Sequence, residues 1–260
     1  MAIITGAGTG IGEAIAHKFA KEGARLIVNG FADDPIADVG RSIREKGGDA
    51  IPKAGDVSDE NSAWACIELA LTKYDRLDIL INNAGVFLDN AMTEDYPLED
   101  FDRTIRMNIR SAFIMTRFAL PHPQKTRGNI VSADSESGMI GLAQNTTYGG
   151  TKGWIHAFMR GVAAEQAQNG VRANCVCPGP IDTAWTQGDR SKGQGDGKES
   201  CPGRAGGAPQ NAGRGGECIR FSRFRRSELR DRSALRRRWR NDDIQRTYGR
   251  FGSEITAKRT

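Results

Sequence analysis

The chain of 260 residues opens with a glycine-rich turn between an apolar strand and an amphipathic stretch. The strand is predicted over residues 2–5, the turn runs from Thr5 to Gly12, and helical periodicity covers 11–22 with Gly23 as its stop. Glycines permit a tight turn and a close backbone approach, and the helix N-terminus that follows attracts a pyrophosphate. Because the strand–turn–helix context is present, the turn predicts a nucleotide site rather than an ordinary glycine turn.

The pattern after the turn keeps alternating between strands and helices as far as residue 176. Strands are predicted over 25–29, 50–54, 77–82, 128–133 and 171–176, and helices over 38–46, 60–73, 98–120 and 147–169. Strands separated by crossover helices form a parallel, doubly wound sheet, and ligands of such sheets bind at the carboxyl ends of the strands. The predicted fold class is α/β, of the Rossmann type.

An abrupt change of composition near residue 186 divides the chain into two parts. Residues 187–260 hold 19 Lys+Arg against 9 Asp+Glu, contain no Val or Met, and are rich in Gly and Arg. Residues 1–186 hold 18 Lys+Arg against 23 Asp+Glu. The change predicts a nucleotide-binding domain over 1–186 and an irregular basic segment over 187–260.

Several classes of protein and site are disfavoured by the remaining composition. No apolar run is long enough to cross a bilayer, and Met1 leads directly into an apolar strand, so we expect a cytoplasmic protein without a signal peptide. The five cysteines form no zinc-type spacing and no disulfide framework. The three histidines, His17, His122 and His156, are scattered, so we expect solvated or locally bonded side chains and no metal site.

A tyrosine and a lysine stand four residues apart, Tyr148 and Lys152, and Ser135 precedes the tyrosine by thirteen residues. A phenol beside an ammonium acts as an acid or a base near neutral pH, because the positive charge favours the phenolate. Read separately, the same residues are two neighbours on one helix face and a turn serine. Together with a nucleotide site, they predict hydride transfer to or from a carbonyl.

In their order along the chain, these motifs resemble those of the short-chain dehydrogenase/reductase family over about residues 1–186. The resemblance includes Asp56-Val57, the run from Asn82 to Gly85, and Pro178-Gly179. It implies catalytic roles for Asn108, Ser135, Tyr148 and Lys152. It implies cofactor contacts from Gly6, Gly10, Ile11, Gly12, Asp56, Val57, Asn82, Ala84, Gly85, Tyr148, Lys152, Pro178, Ile181 and Thr183.

The resemblance also implies how the catalytic set works. Tyr148 would exchange a proton with the substrate oxygen, and Lys152 would lower the pKa of the tyrosine and bind the nicotinamide ribose. Ser135 would hydrogen-bond the substrate oxygen, and Asn108 would hold a water in a proton relay. The cofactor carries the hydride chemistry. A small-molecule alcohol or carbonyl substrate and a homo-oligomeric assembly follow from the same resemblance.

Two positions depart from the family pattern. Asp134 stands where the family usually has a small neutral residue, and we expect its carboxylate to face solvent; facing the site, it would disfavour phenolate formation at Tyr148. Gly30 occupies the position of the acid that binds the ribose diol of NAD, and the glycine turn holds no basic residue for a 2′-phosphate. Residues 26–31 resemble the stretch found in NAD-dependent 3-hydroxybutyrate dehydrogenases, which favours NAD over NADP.

The basic segment 187–260 admits three interpretations. It is a nucleic-acid-binding tail, a solvated extension, or the product of a shifted reading frame. Back-translated with suitable codons and read one base later, residues 224–244, FRRSELRDRSALRRRWRNDDI, give SDEASYVTGALYVVDGGMTI. That string resembles the strand and turn that close the family's sheet, so we place a frameshift between about residues 187 and 210.

A shifted frame has structural consequences. The last strand and the substrate lid would be missing or disrupted, an edge of the sheet would be exposed, and oligomer assembly would be impaired. We therefore expect weak or absent turnover despite an intact catalytic set. The alternative function is a catalytically weak nucleotide-binding protein whose basic tail binds nucleic acid, although we do not expect a nucleic-acid partner or a membrane partner.

Overall fold

A six-stranded parallel sheet forms the centre of the described part of the chain. The structure is a computed structural model and describes residues 1–179. The strands are β1 Ala2–Ile4, β2 Arg25–Gly30, β3 Asp49–Ala54, β4 Ile79–Asn82, β5 Asn129–Ala133 and β6 Arg172–Val176, in the spatial order β3-β2-β1-β4-β5-β6. All five pairings are parallel, so the predicted doubly wound sheet is confirmed. Strand order reverses between β1 and β4, where such sheets open a ligand crevice.

Helices connect the strands. They are α1 Gly10–Lys21, α2 Ile36–Glu45, α3 Glu60–Tyr74, α4 Leu98–Ile105, α5 Ser111–Ala119, α6 Pro123–Thr126 and α7 Thr146–Gln166. Single 3-10 turns occur at Thr93–Asp95, Glu136–Gly138 and Ala167–Asn169. The helix predicted over 98–120 contains a π-helical turn, Arg106–Arg110, between α4 and α5. Such turns interrupt the regular helical ladder and are frequent at functional sites.

Apolar side chains cover both faces of the sheet, which is the pattern expected of parallel strands. Because strand side chains alternate, Ile3 and Leu80 face one side while Ile4 and Ile81 face the other. The first side packs against α3, α5 and α7, and the second against α1 and α2. The core residues contributed by the helices include Cys66, Ile67, Met115, Met159, Ala16, Val39 and Ile43.

Several predictions concern residues that lie outside the described part of the chain. These are the boundary near residue 186, the substrate lid, the closing strand and the basic segment 187–260. Within residues 1–179, no helix has both the length and the apolar character needed to span a membrane.

Candidate active site

The turn between β1 and α1 has no room for side chains at two glycines. Gly6 has a φ of +59°, a conformation that side-chain-bearing residues rarely adopt. A Cβ added to Gly12 would lie 2.0 Å from the Gly6 carbonyl oxygen. Thr9, the N-cap of α1, forms no side-chain capping bond, whereas Asp59 caps α3 by accepting from the Ser62 amide. The backbone N–H groups in the first turn of α1 therefore receive no hydrogen bond from the Thr9 side chain.

The loop after β4 braces this turn. Asn83 Nδ2 donates to the carbonyl oxygens of Thr5 and Gly6 at 3.2 and 2.9 Å. Thr5 Oγ1 accepts from the amides of Asn83 and Ala84, each at 3.0 Å. Asn83 belongs to the predicted motif but not to the predicted contact residues. Its hydrogen bonds were not predicted because the glycine turn that it contacts is remote in sequence. The bonds fix the turn relative to the switch point of the sheet.

The preceding residue, Asn82, ties neighbouring elements together below the crevice. Its Nδ2 donates to Thr116 Oγ1 at 3.0 Å and to Ser132 Oγ at 3.2 Å. The side chain is buried, so it joins β4, β5 and α5 from inside the fold. On this geometry Asn82 steadies the sheet.

An acidic side chain that sequence reasoning missed lies at the end of β2. Asp34 Oδ2 accepts from the Phe31 amide at 2.7 Å. A Cβ added to Gly30 would lie 2.6 Å from Asp34 Oδ2, and one added to Gly8 would lie 2.7 Å from Asp34 Cβ. The chain turns back after β2, so Asp34 places a carboxylate beside the glycine turn although Gly30 holds the expected position.

Asp56 and Val57 follow β3. Asp56 Oδ1 accepts from the Ser58 amide at 2.8 Å, and Oδ2 accepts from Arg106 at 2.5 Å. Burial raises the pKa of Asp56, but the hydrogen bonds from Ser58 and the charge of Arg106 outweigh it and lower the pKa. Val57 packs in the core, so only its backbone is available to a ligand.

Tyr148 and Ser135 meet where β5 ends and α7 begins. The two side chains share a hydrogen bond, and the Tyr148 ring makes an edge contact with Phe87 at 5.1 Å. Burial raises the pKa of Tyr148 to about 12; the Ser135 bond lowers it and the charge of Asp134 raises it. Ser135 Oγ also accepts from the Ser137 amide at 3.2 Å. Tyr148 is therefore a neutral phenol at neutral pH.

Lys152 lies one helical turn further along α7 and is buried. Its Nζ donates to the Ala133 carbonyl oxygen at 2.8 Å and lies 5.4 Å from the centroid of the Tyr148 ring. Burial lowers the pKa of Lys152 to about 8, against the charges of Asp134, Cys175 and Cys177, which raise it. Burial, the Ser135 hydrogen bond and the charge of Asp134 are the influences that set the raised pKa of Tyr148.

Asn108 lies in the π-helical turn and is fully buried. Its Oδ1 accepts from the Val86 amide at 2.6 Å, and its Nδ2 donates to the Val86 carbonyl oxygen at 2.9 Å and to Thr151 Oγ1 at 3.1 Å. The amide thus joins the helix α4–α5 region to the loop after β4 and to the residue before Lys152. Both ends of the side chain have protein partners, so it anchors α7 through Thr151.

The expectation that Asp134 faces solvent is wrong. Its side chain is fully buried, with Oδ1 accepting from the Ser135 amide at 2.8 Å. Its Oδ2 lies 3.2 Å from His156 Nδ1 and 3.4 Å from Cys177 Sγ. His156 belongs to α7 and Cys177 follows β6, so the partners that retain the carboxylate inside the fold are remote in sequence.

Pro178 lies at the carboxyl end of β6, beside the end of β5. Its carbonyl oxygen accepts from the Glu136 amide at 3.1 Å. The segment predicted to contact nicotinamide therefore begins next to Ser135 and its 3-10 turn. The predicted contacts of Ile181 and Thr183 lie outside the described residues.

The sequence profile described as short chain dehydrogenase matches residues 1–194. The chain belongs to this family. Its enzymes are NAD(P)-dependent oxidoreductases, which confirms the predicted enzyme class.

Individual relatives agree with the family assignment. The chain is 39% identical over 194 residues to the D-beta-hydroxybutyrate dehydrogenase of Cupriavidus necator, covering 72% of each chain. It is 33% identical over 184 residues to the L-fucose dehydrogenase of Mus musculus, covering 71% of this chain and 65% of that protein. The matched part thus spans about two thirds of the second relative's length.

A solved structure supports the fold. The 3-ketoacyl-(acyl-carrier-protein) reductase of Brucella melitensis, complexed with NADH, superimposes with a TM-score of 0.68 at 32% identity. The match covers 72% of this chain and 78% of the reductase. NAD(P) binding by the Rossmann-type fold is supported, whereas these relatives give no support to a nucleic-acid-binding function.

Proposed function

We propose that residues 1–186 carry the catalytic set for reversible hydride transfer between NAD and a small-molecule alcohol or carbonyl, with Tyr148 as the proton donor and acceptor. The observation that carries the proposal is the meeting of Tyr148, Ser135 and Lys152 at the end of β5. A Cβ added to Gly85 would lie 3.7 Å from Lys152 Nζ, so the loop after β4 approaches the same lysine. The proposed catalytic set and the predicted cofactor loop are therefore neighbours.

The residues at the strand ends fit a dinucleotide. Gly6 and Gly12 have no side chains and no room for any, and the uncapped first turn of α1 suits a pyrophosphate. The Asp34 carboxylate beside this turn suits the ribose hydroxyls of NAD and would repel the 2′-phosphate of NADP. When bound, the nicotinamide ring supplies the hydride chemistry. Asp34 is thus our reason to favour NAD over NADP.

Proton transfer follows from the side chains of the chain itself. The neutral phenol of Tyr148 is the form that protonates a substrate oxygen as negative charge develops on it. The Ser135 hydroxyl would donate a second hydrogen bond to that oxygen. The Lys152 ammonium beside the ring would stabilise the phenolate that remains. Asn108 would hold α7 at the distance these steps require.

The substrate is proposed by chemical class. The named relatives act on a hydroxy acid, a sugar and a ketoacyl thioester. Each of the three reactions interconverts a secondary alcohol or a hemiacetal hydroxyl with a carbonyl. We therefore propose 3-hydroxybutyrate, L-fucose and a 3-ketoacyl thioester as the first substrates to test.

We infer further that residues 187–260 result from a shifted reading frame. The family match ends at residue 194, inside the interval of about 187 to 210 derived from the sequence. Resequencing the DNA across this interval tests the inference. A continuous frame whose codons do not yield the apolar ending in the shifted frame would refute it.

Turnover of a frame-restored protein, in which the shifted frame is read after this interval, tests the proposed role of Tyr148. Tyr148→Phe removes one oxygen, and we expect kcat to fall by about 100-fold or more because general acid catalysis is lost. Tyr74→Phe is the matched control, since Tyr74 bonds Asp49 at 2.7 Å on the outside of the fold. Equal turnover of Tyr148→Phe and the unsubstituted protein would refute the assignment.

A further inference from the structure

Three side chains of types that bind metals come together from different parts of the fold, close to Lys152. Asp134 follows β5, His156 lies in α7, and Cys175 lies in β6. One carboxylate oxygen, one ring nitrogen and the Sγ atom all lie within 4.8 Å of one another. We call these three residues the back cluster. The proposed proton transfer does not use any of them.

The donor types of the back cluster select a class of cation. Magnesium and calcium prefer oxygen ligands, whereas zinc binds carboxylate oxygen, imidazole nitrogen and thiolate sulfur together. Burial raises the pKa of the Cys175 thiol to about 12, so a divalent cation would have to displace the thiol proton to gain a thiolate ligand beside the Asp134 carboxylate. The Cys175 proton leaves to solvent when Sγ binds the metal.

The geometry is close to that of a tetrahedral site. Zinc–ligand lengths of about 2.0–2.3 Å place tetrahedral donors about 3.3–3.8 Å apart. The Asp134 Oδ2–His156 Nδ1 distance is already 3.2 Å. Since the widest separation in the cluster is at most 4.8 Å, a side-chain shift of about 1 Å brings the third donor into range.

The surroundings of the cluster orient one ligand and give access to another. Asp134 is held by the Ser135 amide on Oδ1 and by Cys177 Sγ on Oδ2, which is the kind of outer support that metal-binding carboxylates receive. The His156 side chain is 36% exposed, so a cation can enter from solvent and retain a water. A buried anchor and an accessible imidazole together make the cluster fit for binding.

We propose that Asp134, His156 and Cys175 form a binding site for a zinc-class divalent cation, with water as the fourth ligand. The site was not predicted from sequence because its residues share no zinc-type spacing. Asp134 and Cys175 interact electrostatically with Lys152, so the cation would bind next to the proposed catalytic set. The proposal does not depend on the identity of the substrate or on turnover.

Cobalt titration of the full-length, metal-free protein tests the proposal. The titration uses a Cys201→Ser/Cys218→Ser background, so that thiols outside the described residues do not contribute. We expect one Co²⁺ per chain, with thiolate-to-cobalt charge-transfer absorption and the strong visible bands of tetrahedral cobalt, and we expect Zn²⁺ to abolish both. Cys175→Ser should remove the charge-transfer absorption. Cys66→Ser, which changes a buried thiol in the α3 core, should leave it intact.

His156→Gln provides a second test at a partly exposed side chain, where folding is easier to preserve. We expect its Kd for Co²⁺ to rise by about 10-fold or more, as losses around metal ligands usually do. An unchanged Kd in His156→Gln would overturn the proposal. Charge-transfer absorption that persists in Cys175→Ser, or that disappears in Cys66→Ser, would also overturn it.

Discussion

Asp34→Asn tests the cofactor preference inferred from the end of β2. Asparagine has the shape of aspartate and retains an oxygen that can accept from the Phe31 amide, which lies 2.7 Å from Asp34 Oδ2. The substitution therefore removes a negative charge while the local turn is preserved. Asp34 lies against Gly8 and Gly30, so the charge is lost where the adenosine ribose is expected to bind.

The magnitude follows from two physical effects. Hydrogen bonds to charged groups contribute about 1.5–3 kcal/mol against about 0.5–1.5 for neutral ones, so NAD binding should weaken by about 1–1.5 kcal/mol. A 2′-phosphate about 5 Å from a carboxylate is repelled by about 3 kcal/mol per charge at an effective dielectric constant of about 20, and by less with solvent screening. Removing the charge should therefore improve NADP binding by about 1–2 kcal/mol. Together the Kd ratio of NADP to NAD should fall by about 30- to 300-fold.

The assay is equilibrium binding of each reduced cofactor by fluorescence, which requires no substrate. Asp33→Asn is the matched control, because it makes the same charge change at an exposed neighbour. We expect less than about a 2-fold change in its Kd ratio, since exposed charges are screened. A constant ratio in Asp34→Asn, or an equal change in both variants, would refute the role of Asp34.

Two further predictions concern the glycine turn and Lys152. Gly12→Ala should destabilise the fold by about 1–3 kcal/mol in urea unfolding and weaken NAD binding, because the new Cβ would lie 2.0 Å from the Gly6 carbonyl oxygen. The control is Gly161→Ala, at a helical position with open space, which should instead stabilise the fold by about 0.5–1 kcal/mol. Equal effects of the two substitutions on the free energy of unfolding would contradict this account. The kcat/KM for carbonyl reduction in the frame-restored protein should fall above about pH 8, where Lys152 loses its proton, while Tyr148, with a pKa of about 12, remains protonated. A profile that stays level to pH 10 would contradict it.

Local sequence patterns were sufficient to predict the sheet. The strand predicted over 128–133 is Asn129–Ala133 in the structure, and the strand predicted over 25–29 is Arg25–Gly30. These predictions agree with the structure because hydrophobic runs and flanking glycines are local signals. The π-helical turn at Arg106–Arg110 was not predicted, since its apolar pattern continues that of the surrounding helix. The structural effect of the turn is seen in the contacts that Asn108 makes with Val86 and Thr151.

Contacts between remote elements account for the parts of the site that were missed. Asp134 looks like a surface acid until α7 and β6 bring His156 and Cys177 to it. Asp34 looks like a loop residue until the chain turns back over Gly30. The tyrosine pKa was predicted to fall beside a lysine, but burial of the phenol is a property of the folded site. Motif spacing named the candidate catalytic residues, whereas their electrostatics required the structure.

The central claim is that this chain carries a site for hydride transfer between a nicotinamide cofactor and a carbonyl. It is tested most directly by supplying NADH labelled with deuterium at the transferring position to the frame-restored protein, together with the carbonyl partner of each proposed substrate. Mass spectrometry of the alcohol should find the cofactor's deuterium on the reduced carbon, and Tyr148→Phe should nearly abolish its formation. The label is placed in turn on each face of the nicotinamide ring. Alcohol that carries no deuterium with either labelled cofactor would contradict the claim.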